Sequence, residues 1–351
     1  MASNCDQSSQ SMLVNKLALL KKLIKEDSEN CKKFDPKNPL ELQIKNNLEI
    51  STILLWIATN HPEVLKDDAE ELQDISVKRL YFCSSWEMPD ELIPTDALTI
   101  LVKSRLCKGL KNFCGNLNLE VMKNFPNKLW SFRLALGKHS NAGLLIDELR
   151  CRRIKHIKDQ DEANYSDENI TIHFRCGELD LEELTPLPDV QPKVYISNVT
   201  DNDSDWVVKA VTALQPKEDF NYDIGGLYLP HSKLTVQGVE SIAKGLFDAS
   251  ISPEFFLISS PYIGEDGKGL NANSEEESNE VLDEDTDEDS DEDSDDFFEM
   301  ISNKYGLDFM LFMNEKEMYF TDFTDSNPDD ITDDFMNLMK DFLKTKSSDD
   351  C

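Results

Sequence analysis

Between residues 271 and 300 the chain carries sixteen Asp or Glu and no Lys or Arg, and 283–294 reads as a repeat, DEDT-DEDS-DEDS. Such a run makes no packed element. Like charges repel at every spacing, and almost no apolar surface is available to offset the ordering of the backbone. Everything else in the chain has to fold around it. Hydrophobic patterning resumes at Phe297 and continues towards the C-terminus, so 271–296 is expected to be a disordered acidic loop and not a tail.

The first 125 residues are patterned for helices. Leu13, Leu17, Leu20 and Ile24 recur at helical spacing with lysines among them. Asn38-Pro39 sets an N-cap residue before a proline and opens a second helix through Leu40, Leu48 and Trp56. Pro62 reads as the start of a third, past Leu65, Leu72, Ile75 and Leu80. Asp96 opens a fourth through Leu98, Leu101, Leu106 and Leu110, stopped at Gly115. Short connections between four helices point to a small bundle or an α-solenoid fragment, and no repeat period decides for the solenoid.

From about residue 126 the texture changes. Strands are expected at Leu129–Leu136, Ile170–Cys176, Lys193–Val199, Trp206–Val211, Leu227–Leu229 and Phe255–Ser259, with helices over Leu144–Ile157 and Val236–Phe247. Strands interspersed with two helices, without a regular strand–helix–strand rhythm, favour an α+β class over a doubly wound sheet. The expected architecture is a helical bundle-like region (1–125), a mixed α+β region (126–270), the acidic loop (271–296) and a closing segment (297–351). That last segment reads as a short helix, a hairpin pairing Asp308–Met313 with Glu317–Phe323, and an amphipathic helix after Asn327-Pro328. Together these would complete the α+β domain.

The net charge of −33, from 36 basic and 69 acidic residues, argues against direct binding of DNA, RNA or an anionic membrane, which needs a basic footprint. No run approaches the roughly 20 apolar residues of a membrane-spanning helix, and the N-terminus has no leader pattern. Eight cysteines without a C-x₂-C pair read as reduced thiols, so the expected location is cytoplasmic, nuclear or both. Cys107 and Cys114 are spaced to share one helix face, but a zinc site would need two more ligands; buried thiols are the expected role. No metal and no cofactor are expected. The nucleotide-binding, hydrolase and metalloprotease motifs are absent. Gly264–Gly269 is glycine-rich but does not lie between a strand and a helix, and His231-Ser232 near Asp223 makes no catalytic set. No catalytic residue is assigned.

The candidate binding residues lie mainly in the acidic loop. Glu275, Glu276, Glu277, Asp283, Glu284, Asp285, Asp287, Glu288, Asp289, Asp291, Glu292, Asp293, Asp295 and Asp296 would attract a basic partner with a salt-dependent on-rate, or act as a solvating linker. In composition this tract alone resembles the acidic stretches of histone chaperones. Ser274, Thr286 and Ser290 each have an acidic residue three positions on, which resembles the acceptor pattern of acidophilic kinases of the casein kinase 2 type. Each phosphate would add about −1.5 to −2 charges. The densest basic patch, ELRCRRIKHIK at 148–158, reads first as a charged solvated helix face, with docking of the acidic loop as a minority reading. Phe335, Met336, Met339 and Phe342 form a stripe on the last helix, available either to its own sheet or to a partner.

These features lead to an expected non-enzymatic interaction factor, an adaptor or assembly factor. Its folded body would bind a protein partner while the acidic loop tunes contacts with basic surfaces. The alternatives are a chaperone for a basic client (histone, ribosomal or other nucleic-acid-binding protein) and an enzyme of an unrecognised family with its site in 126–270.

Overall fold

Eight short runs pair with one another in the order in which they occur along the chain. The computed structural model describes residues 3–30, 40–67, 69–73, 75–83, 92–125, 129, 131–137, 141–159, 169–187, 190–216, 224–263, 296–307 and 310–312. The strands are β1 (Arg79–Tyr81), β2 (Asn112–Gly115), β3 (Ser131–Leu136), β4 (Asn169–Arg175), β5 (Lys193–Ser197), β6 (Gly226–Leu229), β7 (Phe256–Ile258) and β8 (Met310–Phe312). Every pairing, from β1–β2 to β7–β8, is parallel. A parallel neighbour requires the chain to return to the start of the sheet, and each return carries a helical element.

The helices are α1 (Ser3–Asn30), α2 (Leu40–Asn60), α3 (Thr95–Lys103), α4 (Leu119–Met122), α5 (Ala142–Asp159), α6 (Ser204–Leu214), α7 (Val236–Asp248) and α8 (Asp296–Tyr305). From α3 onward each lies in one crossover, and a 3-10 turn at Leu181–Glu183 serves between β4 and β5. No helix among the described residues is long and apolar enough to cross a membrane.

Alternation along the strands sorts their side chains onto two faces. Leu80, Phe113, Phe132, Leu134, Ile172, Phe174, Val194, Ile196, Leu227, Leu229, Phe256 and Ile258 join one hydrophobic core. That core also takes in Leu98 and Leu101 of α3, Leu145 and Leu149 of α5, Val207, Val211 and Leu214 of α6, and Val239, Ile242 and Leu246 of α7. The helices of the crossovers therefore line one side of the sheet. Tyr81, Cys114, Ala135, Tyr195, Tyr228 and Leu257 are equally buried but stand on the opposite face. Sequential parallel strands with one-sided helices are the connectivity of a β/α solenoid, in which each unit packs chiefly on its neighbours.

The class is thus α/β, where α+β was expected. Helices and strands alternate instead of segregating, and pairing of β2 with β3 runs across residue 125, where a helical region was expected to end. The expected third helix stops after a single 3-10 turn at Pro62–Leu65, and Arg79–Tyr81 beyond it is a strand. The fourth ends at Lys103, because Ser104 turns extended (ψ 157°), and the chain then runs through a 3-10 turn into β2. Cys107 and Cys114 consequently share no helix. The run Trp206–Val211, read as a strand from its β-branched residues, is helical: Val207, Ala210, Val211 and Leu214 form its buried stripe. Ahead of it Thr200 and Asp203 make a reciprocal capping box, which starts the helical turn. Residues 310–312 pair parallel with β7; Glu317–Phe323, the partner expected for them in a hairpin, and the expected last helix lie outside the described residues.

Two ties fix the units to each other. Asp201, just after β5, accepts hydrogen bonds from the Thr235 backbone N–H and hydroxyl, both at 2.8 Å, and so holds the start of α7. At the open edge of β1, the Ser51 hydroxyl of α2 accepts from the Tyr81 N–H at 2.8 Å and donates to the Asn47 carbonyl at 2.8 Å. A helix side chain here satisfies a backbone group that an unpaired edge strand would otherwise expose.

Candidate binding face

The face of the sheet opposite the crossover helices is organised by strand register. Tyr81, Cys114, Arg133, Thr171 and Lys193 stand side by side on successive strands, ending at Gly226. The next row holds Ala135, His173, Tyr195, Tyr228 and Leu257. In a chain with a net charge of −33, this face brings together Arg133, His173, Arg175 and Lys193.

The tyrosines form the centre. The rings of Tyr195 and Tyr228 stack 4.2 Å apart and 3° from parallel. Gly226 makes room for that stack: a Cβ there would meet the Tyr228 ring at 2.6 Å. The Arg133 guanidinium lies over the other side of Tyr195, 4.3 Å from the ring centroid, a cation–π contact in a site largely shielded from water. His173 abuts the same ring, with centroids 5.8 Å apart.

His173 is 1% exposed, and its Nε2 finds no hydrogen-bond partner among the described residues. Burial first, then the nearby charges of Arg133, His231 and Arg175, hold its pKa well below the ordinary 6.5. The imidazole is neutral in the folded protein. At the margin Arg175 keeps 27% of its side chain exposed and pairs loosely with Glu178 at 3.8 Å; Arg79, Lys193 and His231 are also half-buried. Half-buried Glu254 is pushed up by its burial, partly offset by Lys193. The chemistry offered lies at this donor-rich margin, which suits a carboxylate group; the aromatic centre behind it is buried. Among the described residues no group of three or more His, Cys, Asp or Glu is arranged to hold a metal ion.

The residues singled out in the sequence lie elsewhere. Ser274, Thr286, Ser290 and the acidic positions from Glu275 to Asp295 fall outside the described residues, as do Phe335, Met336, Met339 and Phe342 and the glycine-rich 264–269. Asp296 opens α8. The basic patch of α5 divides: exposed Arg150 pairs with Asp147 at 3.1 Å, whereas Arg152, 16% exposed, bonds Glu148 at 3.2 Å and the backbone carbonyls of Met122 and Phe125. Arg152 thus ties α5 to the end of α4. Ser232 donates to the Ser259 carbonyl at 2.7 Å and is buried, a structural bond between neighbouring units. Cys107 is a buried thiol pushed up to about 12 by its burial.

Arg133, His173, Tyr195 and Tyr228 were missed in the sequence. Their signal is the alternation in SFRLAL, ITIHFR, KVYIS and GLYL: a charged or aromatic residue recurs at positions facing away from the helix-side core. Compared with known proteins, the chain matches no family model and no curated sequence.

Proposed function

We propose that this protein is a non-enzymatic interaction factor, an adaptor or assembly factor, that binds a protein partner through its folded body. The contact surface is the margin of that sheet face, where half-buried Arg79, Arg175, Lys193 and His231 surround the buried centre of Arg133, Tyr195 and Tyr228, and the acidic stretch tunes contacts with basic surfaces. The observation that carries this reading is the collection of Arg, His, Lys and stacked Tyr on one face of a net-acidic chain. Arg is among the residue types that dominate the energetic centres of protein interfaces, and Arg79 and Arg175 stand at the accessible margin. Arg79, Arg175, Lys193 and His231 at the margin favour a partner segment bearing carboxylates, which they would steer into place.

The test is an affinity capture with cross-linking from cell extract, using the full chain, Arg175→Glu with Lys193→Glu, and a deletion of 271–296. A partner that survives moderate salt and the deletion but is lost at least tenfold in the double variant supports the sheet face. Partners that are basic proteins, lost with the deletion and with salt, would instead favour the chaperone reading carried by the sixteen carboxylates of 271–300.

A further inference from the structure

At the β1 end of the same face, two thiols from different strands touch. Cys83 lies two residues past β1, and Cys114 is in β2; their sulfurs are 3.1 Å apart. The backbone holds them there. Tyr81 is the register partner of Cys114, and the Phe82 N–H donates to the Cys114 carbonyl at 2.9 Å. The sulfurs stand about 1 Å beyond the length of a disulfide bond. The two differ in access: Cys83 is half-buried, Cys114 only 4% exposed.

We propose that Cys83 and Cys114 are a modification site that closes a reversible intramolecular disulfide by exchange with a low-molecular-weight disulfide such as oxidised glutathione. The Cys83 thiolate attacks one glutathione sulfur, releasing the first glutathione thiolate and leaving a mixed disulfide at Cys83. The Cys114 thiolate then attacks the Cys83 sulfur and expels the second. The protein loses two hydrogens, and oxidised glutathione becomes two reduced molecules. The bond would fasten the edge strand β1 to β2 beside Arg133, the next residue along the row from Cys114. This inference does not depend on the proposed binding function. Exposed Cys151 and buried Cys107 serve as internal controls, the one accessible and the other shielded.

The experiment equilibrates the full chain in glutathione buffers from reducing to oxidising, quenches with an alkylating reagent, and maps the cysteines by peptide mass spectrometry. A cross-linked peptide joining 83 to 114, lighter by two hydrogens, is expected. It should exceed the glutathione adduct at Cys83 by at least about tenfold, because two thiols in contact have an effective concentration above millimolar glutathione. Cys83→Ser and Cys114→Ser should each abolish the cross-link with unchanged far-UV circular dichroism, Cys114→Ser keeping a glutathione adduct on Cys83 and Cys83→Ser leaving the buried Cys114 largely unmodified. Independent alkylation of Cys83 and Cys114 at every poise, or separate adducts on each in the wild type, would overturn the proposal.

Discussion

Acidification should weaken the fold through His173 alone by a calculable amount. The side chain is buried and neutral in the native protein, with Arg133 on β3, Arg175 on β4 and His231 after β6 all disfavouring its protonation. In the unfolded chain it titrates near 6.5. A group whose native pKa is depressed in this way leaves the unfolded state binding the extra proton, so stability is full above pH 6.5 and is lost as the pH falls below it. Because the buried side chain resists protonation across this range, the loss between pH 7.5 and 5.5 is on the order of 1 kcal/mol. That corresponds to roughly 0.3 M in the urea midpoint at an m-value of about 3 kcal/mol/M. The assay compares wild type with His173→Phe and His173→Gln at both pH values, because carboxylate effects common to all three cancel in the difference. An NMR titration of the His173 ring protons reads the same claim directly. Parallel pH profiles in wild type and variants, or an imidazole that titrates with an ordinary midpoint, would refute the reasoning.

Three other outcomes are expected. Gly238→Ala places a methyl group against the Asp201 carboxylate, breaking its hold on Thr235; it should cost about 1–3 kcal/mol in urea unfolding, with Asp201→Ala reproducing much of the loss. Ser51→Ala strips the partner from the buried Tyr81 N–H, at a cost of about 1–3 kcal/mol and with faster hydrogen exchange at that amide. On the α8 side, Lys304 donates to Glu240 at 2.7 Å and the Tyr305 hydroxyl to the same oxygen at 3.1 Å. These bonds lower the Glu240 pKa and raise that of Lys304. The tie therefore weakens only as the pH falls through the depressed Glu240 value or rises through the raised Lys304 value; Glu240→Gln should speed hydrogen exchange over 296–305 at neutral pH.

Much of the local structure can be read from side-chain pattern alone. The strands ITIHFR and KVYIS alternate cleanly, and the helix at 236–247 has an apolar stripe, so both periods are visible in the order of the residues. The run WVVKAV misleads because its β-branched residues favour a strand, while the deciding evidence is the buried stripe that continues to Leu214 and the capping box ahead of it. The solenoid itself is hidden by uneven spacing. Register partners run from Phe113 to Phe132 across one connection and from Ala135 to His173 across the next, so no fixed period emerges. The binding face is hidden for a related reason. Arg133, His173, Tyr195 and Tyr228 come together only through strand register, and parallel register is set by packing across the crossovers instead of by a turn that can be recognised in the sequence.

A sheet whose spatial order is its sequence order has a further consequence for how it is made. As each strand of this chain leaves the ribosome, the strand it must pair with has already been synthesised, and the intervening helix is ready to cover the joint. Contacts of short sequence separation form quickly, since little loop entropy opposes them. Assembly can thus advance from β1 to β7 one unit at a time, starting on the surface that α2 already provides. β8 stands apart, because the acidic stretch must emerge before Met310–Phe312 can reach Phe256–Ile258. The greater sequence separation of this last pairing bears on when the strand arrives, since pairings of long sequence separation form late.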